Sequence, residues 1–160
     1  MIKDRIEALR QLLIDKKLDG IIVSKLENLY YFSGFTGDDT MLVISQEQAL
    51  LVTDFRYVEQ AAMEAPEYTV VKQEKGLLKA VAQFVKDLGL KKLGFEGGSL
   101  VFNQYQVLHR EMPEVRFEQS VELDSLRQIK EAEEIQLIKK AVEISDKAFE
   151  GCNEVSIHRI

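Results

Sequence analysis

The residues best suited to chemistry in this 160-residue chain are Arg56 and Tyr57, which follow Asp54 directly after an apolar run. The run 49–53 predicts a β-strand, and Asp54 is placed to cap a helix that we expect over 55–65. Arg56 and Tyr57 then lie in the first helical turn, past the carboxyl end of the strand, where ligands often bind in α/β sheets. There Arg56 could hold a carboxylate through two parallel hydrogen bonds. The alternative interpretation is that Arg56 pairs with a surface acid and Tyr57 packs.

A second candidate is the segment 28–35, in which four of eight residues are aromatic. Gly34 and Gly37 at its end predict a structured loop with at most one helical turn. The aromatic side chains could line a pocket or an interface. They could equally form a local plug over the sheet, and the sequence leaves both interpretations open.

Metal ligands and nucleophiles are poorly placed in the rest of the sequence. Of the two histidines, His109 and His158, the first is interpreted as a surface residue, because a catalytic metal normally needs at least three protein ligands. Residues 38–39, both aspartate, stand in a glycine-bounded loop and are interpreted as turn residues. The segment 97–99 lacks the Lys-Ser/Thr ending of a P-loop. We interpret it as a turn into a helix capped by its serine.

Composition and charge exclude several classes of partner. The formal net charge is −6, with 27 acidic and 21 basic residues interspersed, which argues against binding to nucleic acid. No apolar run approaches the roughly 20 residues that span a bilayer, and the charged start of the chain does not resemble a secretory signal. The single cysteine, Cys152, cannot form an internal disulfide, and a catalytic pair with His158 is not predicted. We therefore expect a cytoplasmic protein that binds neither membrane nor nucleic acid.

The elements that must position these residues alternate between helices and strands. An amphipathic helix over 2–13, closed at 19–20, is followed by strand 21–23, a hairpin of strands 41–44 and 49–53, helix 55–65, strand 68–71, helix 77–88, strand 92–95, helix 99–108, strand 115–118 and a helix from 132. This order predicts an α/β fold in which helices flank the sheet. Since the hairpin is antiparallel, the sheet must be a mixed β-sheet.

Four segments, taken in order, resemble the N-terminal, creatinase-like domain of Xaa-Pro peptidases, which include prolidases and aminopeptidase P, and of their relative creatinase. Segment 28–35 is similar to the family pattern Asn-x-x-Tyr-x-x-Gly-Phe, and segment 51–61 to Thr-Asp-x-Arg-Tyr-x-x-Gln-Ala. The third match is 93–96 followed by Gln104-Tyr105, and the fourth is 126–135 continuing to 148–149. The ordered set spans nearly the whole chain.

The resemblance implies a ribonuclease-H-like topology and a division into three parts: a creatinase-like domain at 1–123, a linker at 124–130, and the start of a truncated C-terminal catalytic domain at 131–160. Family members cleave the bond before proline with two metals held in a C-terminal "pita-bread" domain. The resemblance therefore implies that this fragment is inactive and holds no cofactor. Two divalent metal ions (Mn, Co or Zn) are expected in the full-length protein. The tail 151–160 departs from the family pattern, and we assign it no function.

The resemblance also implies partners and site residues. The partners are the chain's own catalytic domain, a second subunit in a homodimer, and the Xaa-Pro peptide substrate. In creatinase the matching arginine reaches the substrate carboxylate of a neighbouring subunit, so Arg56 and Tyr57 are expected to bind substrate in trans. Four further residues are expected to be structural or to lie at an interface: Asn28, Tyr31, Phe35 and Asp54. The alternative function is a free-standing α/β binding or assembly module, which the aromatic segment motivates.

Overall fold

The computed structural model describes residues 1–157, apart from the side chains of residues 119, 120 and 153–157. His158 therefore lies outside the described residues. The chain divides into two compact units, Met1–Leu126 and Arg127–Ile160.

A six-stranded mixed sheet forms the centre of the first unit, which confirms the predicted α/β class. The strands are β1 (Gly20–Val23), β2 (Met41–Ser45), β3 (Ala49–Thr53), β4 (Thr69–Lys72), β5 (Lys92–Phe95) and β6 (Arg116–Ser120). Their spatial order is β4-β3-β2-β1-β5-β6. The pairs β1–β2 and β2–β3 are antiparallel, whereas β3–β4, β1–β5 and β5–β6 are parallel. The carboxyl ends of β1, β5 and β6 therefore meet at one edge of the sheet.

Helices account for most of the remaining described residues. They are α1 (Ile2–Asp15), α2 (Leu26–Ser33), α3 (Val58–Glu64), α4 (Leu77–Asp87), α5 (Phe102–Glu111) and α6 (Ala132–Ile157), with a 3₁₀ turn at Asp124–Arg127. In the second unit, α6 carries exposed apolar side chains at Ile135, Leu137, Ile138, Val142, Ile144 and Phe149. No helix among residues 1–157 is both long enough and apolar enough to cross a bilayer.

The strands β1, β2 and β3 are buried on both faces of the sheet, which explains why they are continuous apolar runs. Successive side chains of a strand point to opposite faces, so Ile21 and Val23 join one apolar cluster while Ile22 joins the other. The first cluster includes side chains of α1, α2 and α3, and the second includes those of α4 and α5. The two layers fix the position of each loop at the strand ends.

The end of the first helix differs from the prediction. Helix α1 ends at Asp15, and Lys17 takes a left-handed conformation at φ 56°. Gly20 does not close the helix but begins β1. A Cβ atom at Gly20 would lie 2.9 Å from the carbonyl oxygen of Ile44 on the paired strand. The glycine is therefore explained by close backbone approach in the sheet rather than by helix capping.

The aromatic segment is more helical than predicted. Residues 26–33 form the two-turn helix α2, which ends at Gly34 with φ 76°. The sequence favours a loop because aromatic residues have modest helix propensity. Burial of Leu29, Tyr31 and Phe32 in the first cluster overrides that preference.

Two helix starts were also predicted wrongly. Residues 55–57 form a turn, and α3 begins only at Val58, with Tyr57 rather than Asp54 at the N-cap. Asp54 instead accepts a hydrogen bond from the backbone N–H of Arg56 through Oδ1 at 2.7 Å, as in an Asx turn. Helix α5 begins at Phe102, and Ser99 does not cap it. The hydroxyl of Ser99 accepts a hydrogen bond from Ser24 Oγ at 3.2 Å.

Candidate functional site

The first candidate site is the Arg56 cluster, which consists of Asp38, Asp39, Asp54, Arg56 and Tyr57. Strand order explains how these residues meet. In the β2–β3 hairpin Met41 lies opposite Val52, so the loop before β2 runs beside the turn after β3. A hydrogen bond of 2.8 Å from Thr40 Oγ1 to Thr53 Oγ1 fixes that neighbourhood.

Within the cluster, Asp54 holds one edge of the Arg56 guanidinium. Asp54 Oδ2 accepts hydrogen bonds from Nε, at 2.8 Å, and from Nη2. Nη2 also donates to Asp39 Oδ2 at 3.0 Å. The Asp54 carboxylate is buried, whereas 53% of the Arg56 side chain is exposed. Within the part of the chain that the structure describes, no acceptor contacts Nη1, so the Nη1 side of the guanidinium faces solvent.

These contacts favour the charged forms of both Asp54 and Arg56. The hydrogen bond from Arg56 lowers the pKa of Asp54, and the same bond raises the pKa of Arg56. A carboxylate whose pKa is lower in the folded than in the unfolded state stabilises the fold at neutral pH. This stabilisation is lost as the pH falls through the lowered pKa. Asp54 therefore holds Arg56 throughout the neutral and mildly acidic range. The hydrogen bond from Tyr57 OH to Asp38 Oδ1, at 2.7 Å, raises the pKa of Tyr57 and keeps the phenol neutral.

A buried ring supports the cluster from below. Phe35 is only 1% exposed, and its ring meets the Tyr57 ring edge to face with centroids 6.0 Å apart. A Cβ atom at Gly37 would lie 2.3 Å from Cζ of Phe35 and 3.0 Å from Cδ1 of Tyr57. A side chain at position 37 would displace the Phe35 ring, so the glycine lets the acidic loop lie directly against both rings.

The second candidate site is the Glu96 cluster, which consists of Ser24, Lys25, Asn28, Glu96 and Asp124. Glu96 is 5% exposed at the carboxyl end of β5. Its Oε2 accepts hydrogen bonds from the backbone N–H groups of Ser24, at 2.7 Å, and Lys25, at 2.9 Å. Its Oε1 accepts one from Asn28 Nδ2. One buried carboxylate thus satisfies donors at the start of α2, where a negative charge is also favoured by the helix dipole.

A cleft of about 340 Å³ opens beside the Glu96 cluster at the carboxyl ends of β1, β5 and β6. Lys25 Nζ lies 2.7 Å from Asp124 Oδ2 at its rim. Asn28 Nδ2 is 3.4 Å from Asp124 Oδ1, while Asn28 Oδ1 is buried and has no hydrogen-bond partner among the described residues. The contacts of the Glu96 cluster join three segments of the first unit, and we therefore interpret the cluster as structural.

Comparison with known proteins assigns a family to this architecture. Residues 5–129 match the model of the creatinase/prolidase N-terminal domain. The chain belongs to that family.

Similar proteins in the family are peptidases by name. The chain is 33% identical over 146 residues to an uncharacterized peptidase, YqhT, of Bacillus subtilis, and 31% identical over 149 residues to a Xaa-Pro dipeptidase of Pyrococcus furiosus. Each alignment covers 91% of this chain and 41% of the relative. The structure of a Xaa-Pro dipeptidase from Bacillus anthracis superposes with a TM-score of 0.85 at 34% identity, covering 94% of this chain and 42% of that one. This creatinase/prolidase-type chain therefore spans about two fifths of the length of these relatives.

Within this creatinase/prolidase domain, the structure places the six predicted site residues in three different surroundings. Asp54, Arg56 and Tyr57 lie together in the Arg56 cluster, with Phe35 packed beneath it. Asn28 lies in the Glu96 cluster, although Phe35 follows it by only seven residues in the chain. Tyr31 is buried, and its hydroxyl donates to the carbonyl oxygen of Leu126 at 2.9 Å.

Most of the aromatic side chains of segment 28–35 are packed in the core of the first unit. Tyr31, Phe32 and Phe35 are buried in the first apolar cluster, whereas Tyr30 is exposed. Of the two interpretations that the sequence left open, burial favours internal packing over a pocket lining.

Sequence reasoning missed the roles of residues that the topology brings in from elsewhere. The sequence predicts only turn roles for Asp38 and Asp39, whereas in the structure they contact Tyr57 and Arg56, respectively. The predicted hairpin contained the necessary information, because the start of one strand must lie beside the end of the other. Glu96 entered only as part of a family match, and Asp124 was assigned to the linker. Among the side chains that the structure describes, no three of histidine, cysteine, aspartate or glutamate are grouped so that they could hold a metal ion.

Proposed function

We propose that this chain is the non-catalytic N-terminal domain of a cytoplasmic, metal-dependent Xaa-Pro dipeptidase or aminopeptidase, where it supports dimerisation and closes the substrate site. In this proposal residues 1–123 are the domain, 124–130 the linker and 131–160 the start of the catalytic domain. The family match over residues 5–129 supports the assignment to a peptidase. The names of the relatives support Xaa-Pro peptides as substrates.

The observation that carries the proposal is the half-exposed guanidinium of Arg56. Asp54 fixes the Nε side, so the side chain is held in one direction, and the Nη1 side remains open to solvent. An arginine held in this way can receive a carboxylate through its planar fork. We assign to Arg56 the carboxylate of a Xaa-Pro substrate bound in the partner subunit, and to Tyr57 a place beside it.

The catalytic chemistry belongs to the other part of the protein. Two divalent metals (Mn, Co or Zn) would activate water and polarise the scissile carbonyl there. The described residues offer no grouped ligands for such ions, and we assign the hydrolysis itself to the catalytic domain. The chain's own residues orient the substrate and exclude water at the closed site.

The first experiment is to express the full-length protein and assay it with an Xaa-Pro dipeptide such as Ala-Pro. Cleavage is expected with Mn²⁺ and should stop after treatment with a chelator, whereas purified 1–160 should show none. A folded, Mn²⁺-loaded full-length protein that cleaves no Xaa-Pro peptide would contradict the proposal. A reading frame that stops at residue 160 would instead favour the free-standing binding module. Turnover by 1–160 that a chelator abolishes would contradict the assignment of catalysis to the other domain.

Replacing Arg56 with alanine in the full-length enzyme should raise KM for Ala-Pro about tenfold, because a hydrogen bond between charged groups contributes about 1.5–3 kcal/mol and this one is partly solvated. Steady-state kinetics measure the change. Arg110→Ala is the matched control, since Arg110 is an exposed arginine on α5 that pairs only loosely with Glu111, at 3.9 Å. Unchanged kinetics together with a lowered Tm would show that Arg56 is structural and not a substrate ligand.

A further inference from the structure

The outer edge of Arg56 is half occupied by a carboxylate of the same chain. The guanidinium can offer a bidentate ligand its Nη1–Nη2 edge, because Nε and the inner side of Nη2 are held by Asp54. Asp39 Oδ2 already lies on Nη2 at 3.0 Å. Asp39 thus takes one of the two contacts that an incoming carboxylate would need.

Asp39 is held much less firmly than its neighbours. Its side chain is 61% exposed, and within the described part of the chain Arg56 is its only hydrogen-bond or ion-pair partner. By contrast, Asp38 accepts a hydrogen bond of 2.7 Å from Tyr57 OH, and Asp54 is buried with three bonds to Arg56. Because exposed ion pairs are weak, Asp39 can be displaced from Nη2 without disturbing the rest of the Arg56 cluster.

The local charge also disfavours free anions. Two carboxylates contact the guanidinium, and a third, that of Asp38, accepts a hydrogen bond from the adjacent Tyr57, so an acid arriving from solution meets net repulsion at Arg56. A carboxylate that is already delivered by a bound substrate has a high effective concentration and can replace Asp39. The contact between Asp39 and Arg56 therefore favours a carboxylate delivered by a bound substrate over a free acid in solution.

We propose that Asp39 is a specificity-determining residue that competes with the ligand carboxylate for Nη2 of Arg56. This inference rests on the proposed role of Arg56 as a carboxylate site. In addition to that role, competition by Asp39 sets the affinity of Arg56 for a ligand carboxylate and determines which carboxylates bind.

The direct test is a titration of the 160-residue chain with acetate, followed by NMR of the Arg56 Nε–H group. Asp39→Asn is a suitable variant, because position 39 has φ 52° and asparagine tolerates this left-handed conformation as well as aspartate does. At low acetate concentration, the change in the Arg56 Nε–H chemical shift per unit of acetate concentration should be about two- to fivefold larger in Asp39→Asn than in the unaltered chain. This range corresponds to the free energy of an exposed ion pair. Arg56→Ala identifies the resonance.

Asp38→Asn is the matched control, since it removes the same charge one residue away but touches Tyr57 instead of Arg56. It should produce less than half of the Asp39→Asn effect. Equal effects of the two variants would show a general loss of negative charge and would overturn the competition. A slope in Asp39→Asn no steeper than in the unaltered chain would overturn it as well.

Kinetics of the full-length enzyme separate this inference from the proposed function. Asp39→Asn should lower KM for Ala-Pro about two- to fivefold, as in the titration, and leave kcat and the KM for Ala-Pro amide unchanged. If Arg56→Ala does not raise KM for Ala-Pro, the proposed role of Arg56 fails. If Arg56→Ala raises it and Asp39→Asn does not lower it, the role of Arg56 stands and the competition by Asp39 fails. A gain in affinity is a result that mere structural damage cannot produce.

Discussion

Replacing Glu96 with alanine is expected to lower the free energy of unfolding of the chain by about 3 kcal/mol. The variant leaves the backbone N–H groups of Ser24 and Lys25 and the amide of Asn28 without their acceptor. Each buried donor left unsatisfied costs about 1–3 kcal/mol. The adjoining cleft lets water reach part of the site, so the three penalties are not expected to add in full. Urea denaturation followed by far-UV circular dichroism measures the difference.

Glu96→Gln sharpens this test because its amide oxygen can still accept from Ser24 and Lys25. Its NH₂ group would face Asn28, whose side-chain amide can rotate to present Oδ1, the atom that has no partner in the native chain. The expected loss is therefore only about 1 kcal/mol. Glu118→Ala is the control, since Glu118 is an exposed glutamate on β6 and should change stability by less than about 0.5 kcal/mol. Equal losses for Glu96→Ala and Glu118→Ala would contradict the role assigned to the buried carboxylate.

The parts of the fold that could be predicted are those governed by local patterns. Apolar runs such as 41–44 and 49–53 gave the hairpin, because four polar residues separate two strands of suitable length. Amphipathic spacing likewise predicted α1 and α4 to within a few residues. In each case the information lies within about 15 residues of sequence, so no knowledge of the tertiary structure is needed.

The errors occurred where a side chain has a choice of partners. Asp54 and Ser99 both have the residue types of helix caps, and neither caps a helix in the structure. Asp54 bonds to Arg56, two residues later, and Ser99 to Ser24, which is 75 residues away in the chain. Competition of this kind is decided by tertiary contacts, which local sequence does not contain.

The two clusters differ in how much of each could be predicted from the sequence. Three of the five residues of the Arg56 cluster were predicted from one segment, and the other two, Asp38 and Asp39, follow from the hairpin register once that register is considered. The Glu96 cluster depends on parallel pairing of β1 with β5, which brings together residues 72 apart in the chain. Strand order across such a distance cannot be read from alternation of apolar residues. Here the family resemblance identified Glu96 as notable without explaining its role.

Replacing Phe35 with alanine is expected to destabilise the chain by about 3–5 kcal/mol, the usual cost of truncating a buried phenylalanine. The ring is 1% exposed and belongs to the apolar cluster between the sheet and the helices α1, α2 and α3. About 1 kcal/mol of the loss is expected from the edge-to-face contact with Tyr57. Because Gly37 also lies directly against this ring, the resulting cavity would open beneath the acidic loop.

The matched control for this prediction is Phe55→Ala, in the turn that carries Arg56. Phe55 is 77% exposed, so its truncation should change the free energy of unfolding by less than about 0.5 kcal/mol. Hydrogen exchange then tests whether Phe35 also orders the Arg56 cluster. In Phe35→Ala the amide of Tyr57, which donates to the Asp54 carbonyl at 3.2 Å, should exchange faster relative to amides of β2 than it does in the unaltered chain. A uniform increase across the sheet would mean that the ring stabilises the core without supporting Arg56. Equal stability losses for the two variants would contradict the assignment of Phe35 to the core, and with it the rigid platform on which the direction of Arg56 depends.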